Sequence, residues 1–206
     1  MIKKTGPLLA LLTAGALAMS LALPAAAASA QTMPRVTVSS SWSTHIQNIG
    51  WRSTSQTTDL VSGSNKLTFS VGTEGQSLRL EYIDPSSVQI RSDIPKVIGD
   101  ANCSINLQGH VQNVGWQAVS GSAGTTGRGL RLEAIKMWST CTAVKVRYTV
   151  HVQSIGWMDV KTAGQVAGTT GRGLAIEAVR VTLELPNLNY VYDAVLNGDC
   201  QLAGTC

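Results

Sequence analysis

The chain has 206 residues, 44% of them apolar and 14% charged, with 16 Lys and Arg set against 12 Asp and Glu. That length and apolar share suit one packed domain and exclude a long charged, disordered tail. The cations are scattered singly, so the basic footprint of a nucleic-acid binder is missing.

Lys3 and Lys4 precede an apolar run from Leu8 to Leu23, then Pro24, then an alanine-rich stretch ending Ala28-Ser29-Ala30. A charged start, an apolar run and a small-residue cleavage site predict a secretory signal peptide over residues 1–30. The run is interrupted by Thr13, Gly15 and Ser20 and falls short of the roughly 20 apolar residues that span a bilayer. No cysteine follows the cleavage site to take a lipid, and no second long apolar run appears. The mature chain is therefore expected to be secreted, extracellular or loosely associated with the cell wall, with no membrane span. Cleavage also removes two of the charges behind the formal net charge of +4, which leaves little basicity.

Three copies of one unit come next in chain order. HIQNIGW runs from His45 to Trp51, HVQNVGW from His110 to Trp116, and HVQSIGW from His151 to Trp157. Each precedes a glycine block: GTEGQSLRLEYI from Gly72, GTTGRGLRLEAI from Gly124, and GTTGRGLAIEAV from Gly168. The implied organisation is one domain over residues 31–185 with copies at about 36–90, 101–140 and 141–185, then a C-terminal tail over 186–206. Copy one carries an insertion near Thr57 to Thr68.

The blocks read as strands. Val144, Val146, Tyr148, Val150 and Val152 alternate with polar residues, a period of two that puts His151 and Gln153 on the polar face. The apolar spacing then lengthens between Val152 and Ile155, which predicts a bulge or bend at Gln153-Ser154; a second slip of phase falls across Glu177-Ala178. GTTGRG lacks the Lys-Ser/Thr and the helix of a phosphate loop, and predicts a hairpin turn in which glycine supplies positive φ. Units of this size cannot bury an apolar face alone, so the expected fold is all-β, with the repeats in a pseudo-threefold arrangement like a β-trefoil or β-prism.

Cys103, Cys141, Cys200 and Cys206 form an even set in an exported chain, with no CxxC and no standard zinc spacing. Cys103 lies near the start of copy two and Cys141 just after its last strand, which predicts Cys103–Cys141 and Cys200–Cys206 disulfides.

The motif resembles the ChW repeat, the clostridial hydrophobic repeat with a central tryptophan found in secreted bacterial proteins. The likeness rests on HVQ-x-I-G-W followed by A-G-T-T-G-x-G-L-x-L/I-E-A-I/V, and is specific for copies two and three. Copy one departs from it at Glu74, Gln76 and Ser77. The resemblance implies an extracellular module for adhesion or for binding polysaccharide and cell-surface ligands.

All three histidines hold one motif position, as do Glu81, Glu133 and Glu177. Copies spread around an axis cannot assemble the single asymmetric site that acid–base catalysis needs, nor a glycosidase pair about 5–9.5 Å apart. No HExxH, GxSxG or EF-hand loop appears, and catalysis would need residues such as Asp84 or Asp193 outside the repeat. No enzyme, metal or cofactor is expected.

Repeated binding fits better. The candidate ligand-binding residues are His45, Gln47, Trp51 and Glu81 in copy one; His110, Gln112, Trp116, Arg128 and Glu133 in copy two; and His151, Gln153, Trp157, Arg172 and Glu177 in copy three. Tryptophan faces can stack on sugar rings, and weak sites used repeatedly gain avidity on a polymer. Against this, the tryptophans could plug the core, and the His, Gln and Glu could satisfy bulged backbone groups. On the strand phase, His151 and Gln153 should be replaceable with the unfolding midpoint nearly unchanged, whereas Trp157, if it plugs the core, should not. Copies two and three should dominate any site, because copy one lacks the Arg. The expected partner is a polysaccharide or cell-wall glycan; the alternative is an adhesion or structural module that binds a surface protein.

Overall fold

Residues 35–60, 65–92 and 101–186 are described by a computed structural model, and among them every regular element is a β-strand. Copy one supplies β1 (Val36–Ile46), β2 (Gly50–Leu60), β3 (Lys66–Gly72) and β4 (Leu80–Ser92). Copy two supplies β5 (Ala101–Cys103), β6 (Ile105–Val111), β7 (Gly115–Trp116), β8 (Ala123–Gly124) and β9 (Leu132–Ser139). Copy three supplies β10 (Lys145–Val152), β11 (Gly156–Trp157), β12 (Lys161–Thr162), β13 (Ala167–Gly168) and β14 (Ile176–Glu184). The period of two is obeyed closely: β1 alternates buried and half-buried positions along its whole length.

The strands form three open antiparallel sheets, and none closes into a barrel. Each contains the same series: a Gly-Trp strand, a His strand, a Glu strand, and on the far side of the Glu strand a glycine strand taken from a different copy. The three series are β2-β1-β4-β8, β7-β6-β9-β13 and β11-β10-β14-β3. Copy two thus docks on copy one, copy three on copy two, and copy one on copy three.

These dockings correct the reading of GTTGRG as a hairpin turn. The positive φ is present, at Gly124, Gly127 and Gly129 and again at Gly168, Gly171 and Gly173. The segment, however, carries the chain from one sheet to another instead of joining neighbouring strands, because its first glycine pairs with another copy. A Cβ at Gly72, Gly124 or Gly168 would lie 2.8 Å from the Cα of Ala178, Tyr82 or Ala134, so only glycine permits the approach. Backbone hydrogen bonds then latch each junction, from Thr73 N–H to the Glu177 carbonyl (2.8 Å), Thr125 to Glu81 (2.7 Å) and Thr169 to Glu133 (2.9 Å).

The bend expected at Gln153-Ser154 is a chain reversal instead. β10 ends at Val152, Gln153–Ile155 turn, and β11 returns with Trp157 opposite His151 and Gly156 opposite Val152. Ser154 at φ 62° and Gly156 at φ 90° make the reversal, as do Asn48 and Gly50 or Asn113 and Gly115 in the other copies. Short polar residues and glycine tolerate this left-handed backbone. The second slip lies where the phase placed it: Val152 faces Ile176 and His151 faces Ala178, leaving Glu177 as the extra residue of a bulge. Glu81 and Glu133 are the bulged residues of the other copies.

Inward side chains of all three sheets meet in one apolar cluster that includes Trp42, Phe69, Ile83, Leu107, Ile135, Val150 and Val179. Trp42 stands 5.3 Å from the Phe69 ring and donates its indole N–H to Ser40 Oγ at 2.7 Å. The Cys103–Cys141 disulfide is formed, with Cα atoms 5.5 Å apart, whereas Cys200 and Cys206 lie outside the described residues.

Candidate functional site

The bulge turns each glutamate toward the histidine of the neighbouring strand. His45 Nδ1 lies 3.1 Å from Glu81 Oε2, His110 Nδ1 3.0 Å from Glu133 Oε2, and His151 Nδ1 2.9 Å from Glu177 Oε2. The first approach is aligned as a hydrogen bond; the other two are equally short but off-line. All three glutamates are buried. A buried carboxylate needs such partners, because desolvating it unpaired costs several kcal/mol or more. Nε2 is the imidazole nitrogen that remains for any ligand.

Two further partners escaped the sequence reading. Arg79 Nε donates to Glu81 Oε1 at 3.0 Å and Arg131 Nε to Glu133 Oε1 at 2.8 Å. Copy three has Ala175 at this place, so Glu177 relies on His151 alone for an ion-pair partner among the described residues. The available signal was Arg-x-Glu in two copies and Ala-x-Glu in the third. Gly129 and Gly173 keep room for these arginines, since a Cβ there would lie 3.4 Å from Arg79 Nη2 and 3.3 Å from Arg131 Nη2. At the third junction the corresponding residues are Ser77 and Ala175.

The motif tryptophans are surface residues, not core plugs. Trp51 is 58% exposed and Trp116 37%, and Trp157 is half-buried. Each presents its plane nearly perpendicular to the adjacent histidine, with centroids 5.5, 5.3 and 5.4 Å apart. The core tryptophan is Trp42, outside the motif. Lys136 lies over Trp116 at 4.6 Å and Arg180 over Trp157 at 4.2 Å. Asp84 holds that place in copy one, where Trp51 instead meets the edge of Tyr82 at 5.5 Å. Trp157 is closed further by its indole N–H, which donates to Glu74 Oε1 of copy one at 2.8 Å.

The glutamines are tied to the scaffold. The side-chain Oε1 of Gln47 and of Gln112 accepts at 3.5 Å from the backbone N–H of Arg79 and Arg131, whereas Gln153 is held through its backbone N–H, which donates to the Ala175 carbonyl at 2.9 Å. The half-buried histidines and the side chains of Gln47 and Gln112 are therefore not free solvent-face positions. Arg128 and Arg172 are exposed on turns that dock on copies one and two. The loop lacking Arg, with Glu74 and Gln76, docks on copy three. The structure thus places the departures of copy one in the His151–Trp157 neighbourhood.

Among the described residues, no three His, Cys, Asp or Glu side chains gather as a metal site, and no helix is long and apolar enough to cross a membrane. The arrangement is that of an all-β repeat protein in which His, Glu and a surface Trp recur on successive sheets. The family model described as Clostridial hydrophobic W, ChW, matches residues 110–140 and 151–184, and these two segments are ChW repeats. No curated protein and no solved structure matches the chain.

Proposed function

We propose that the chain is an exported, non-catalytic module that binds polysaccharide or cell-wall glycan through its surface tryptophans. The observation that carries this reading is Trp51, a motif residue held by His45 and Tyr82 with more than half of its surface open. An aromatic plane held at the surface by its neighbours can stack on a pyranose at little entropic cost. Trp116 offers the same group a second time, with Lys136 over one face. Each His–Glu pair sits in a different sheet, which supports repeated binding over a single catalytic constellation.

The cyclic exchange of glycine strands supports a pseudo-threefold arrangement, and three separate open sheets favour the β-prism over the trefoil. Export is supported by the signal-like residues 1–30 together with the Cys103–Cys141 disulfide, a bond of oxidising compartments. The test is adsorption of purified protein to insoluble polysaccharides and cell-wall preparations, with reducing sugar measured in the supernatant. Adsorption without release of sugar is expected. Release of sugar would contradict the non-catalytic reading, and binding to a surface protein in place of any glycan would favour the adhesion alternative.

A further inference from the structure

The three copies carry different residues immediately after the Gly-Trp pair. In copy two Gln117 fills the space beneath the hairpin, accepting from Gly124 N–H at 2.7 Å and donating to the Gly124 carbonyl at 3.0 Å. In copy three Met158 packs there, half-buried against the core. Copy one has Arg52, and its insertion carries the chain away along β2 before β3 returns. The space is left as a half-open cleft of about 330 Å³.

The cleft runs between β2 and β3, which among the described residues are edge strands of two sheets, each paired on one side only. Half-buried Ile49 gives it apolar surface, and Ser70, Thr73 and Gln76 offer hydroxyl and amide groups. Among the described residues, Arg52 is the only charged one in the lining, and its guanidinium has no side-chain partner. Thr44 pairs with Arg52 and lines the cleft, whereas His45 pairs with Trp51, so cleft and tryptophan use opposite faces of the hairpin.

We propose that this copy-one cleft binds a carboxylate-bearing sugar residue of an acidic polysaccharide. A guanidinium fork matches a carboxylate, hydroxyl and amide groups match the ring hydroxyls, and the Ile49 side chain offers an aliphatic contact to the C–H face of a pyranose. The volume stands at the lower end of the roughly 300–1,000 Å³ of ligand pockets, which suits one sugar residue. The proposal takes its polymer from the glycan reading above, but the cleft is separate from the tryptophans.

The experiment is calorimetric or NMR titration of the purified protein and its Arg52→Gln variant with sodium glucuronate, methyl glucoside and sodium acetate. Wild type should bind glucuronate about tenfold more tightly than either other probe, and Arg52→Gln should remove the preference while leaving the unfolding midpoint unchanged. Glucuronate binding that survives Arg52→Gln, or that methyl glucoside or acetate equals, overturns the proposal. Adsorption to polysaccharide without a glucuronate preference would leave the glycan reading standing and the cleft assignment refuted. Arg52-dependent glucuronate binding without adsorption to any polymer would do the reverse.

Discussion

Gly168→Ala probes the junction by which copy three docks on copy two. Gly168 has φ 105°, and a Cβ there would lie 2.8 Å from the Ala134 Cα, a backbone atom that cannot rotate away. The left-handed backbone alone costs an alanine about 1–2 kcal/mol. Relieving the overlap requires β13 to lift from β9, which weakens the Thr169 N–H bond to the Glu133 carbonyl and the Gly168–Ala134 pairing, at about 1 kcal/mol for each hydrogen bond. The expected loss is thus about 3 kcal/mol or more. Gly171 is the control: its φ is 71°, but nothing stands within 4 Å of a Cβ, so Gly171→Ala should show only the backbone cost of about 1–2 kcal/mol. Urea unfolding of both variants measures the difference. Equal losses would refute the close docking of the copies.

Three further outcomes are expected. Removing Cys103 and Cys141 together should lower stability by about 4 kcal/mol on the chain-entropy model for a loop of this size, measured by denaturant unfolding; peptide mapping that joined Cys103 to Cys200 would contradict the pairing. His151→Ala should cost about 1–3 kcal/mol and exceed His110→Ala, because Glu133 retains Arg131 while Glu177 keeps no ion-pair partner among the described residues; equal losses in urea would contradict this ordering. Burial raises the Tyr148 phenol above its ordinary 10.0, while the Met137 N–H bond opposes the shift. The unfolded chain therefore ionises first, so stability is full below pH 10 and falls as pH rises toward the higher folded value, a slope that Tyr148→Phe should flatten in alkaline unfolding curves.

The strands were legible because Val144 to Val152 alternate without interruption, and Glu177 marked its own bulge by shifting the apolar phase. The turn after His151 was read as a bent strand because a three-residue reversal and a bulge both lengthen the apolar spacing. Ser154 and Gly156, the residues that take left-handed backbone, were the distinguishing signal. The docking of copies was invisible to self-comparison, which aligns each glycine block with its own motif. Space pairs it with another copy, and only the close approach at Gly72, Gly124 and Gly168 explains the invariant glycine. The sequence left the tryptophans open between core and ligand because size and apolarity do not say which face of the strand they occupy. Opposite a half-buried histidine they must share its outer face, while Trp42, three residues before His45, takes the inner one.

The central claim is that the surface tryptophans hold glycan, and Trp51→Ala tests it most directly. Its contacts are edge-on packing with His45 and Tyr82, so the substitution should cost only about 1 kcal/mol of stability. Adsorption isotherms of wild type, Trp51→Ala and Trp116→Ala on the insoluble polysaccharide that binds wild type best, paired with urea unfolding midpoints, give the answer. Both variants should remain folded, each should lose about tenfold in affinity, and the double variant should lose more, as stacking at repeated sites requires. Folded variants that adsorb as wild type does would contradict the account.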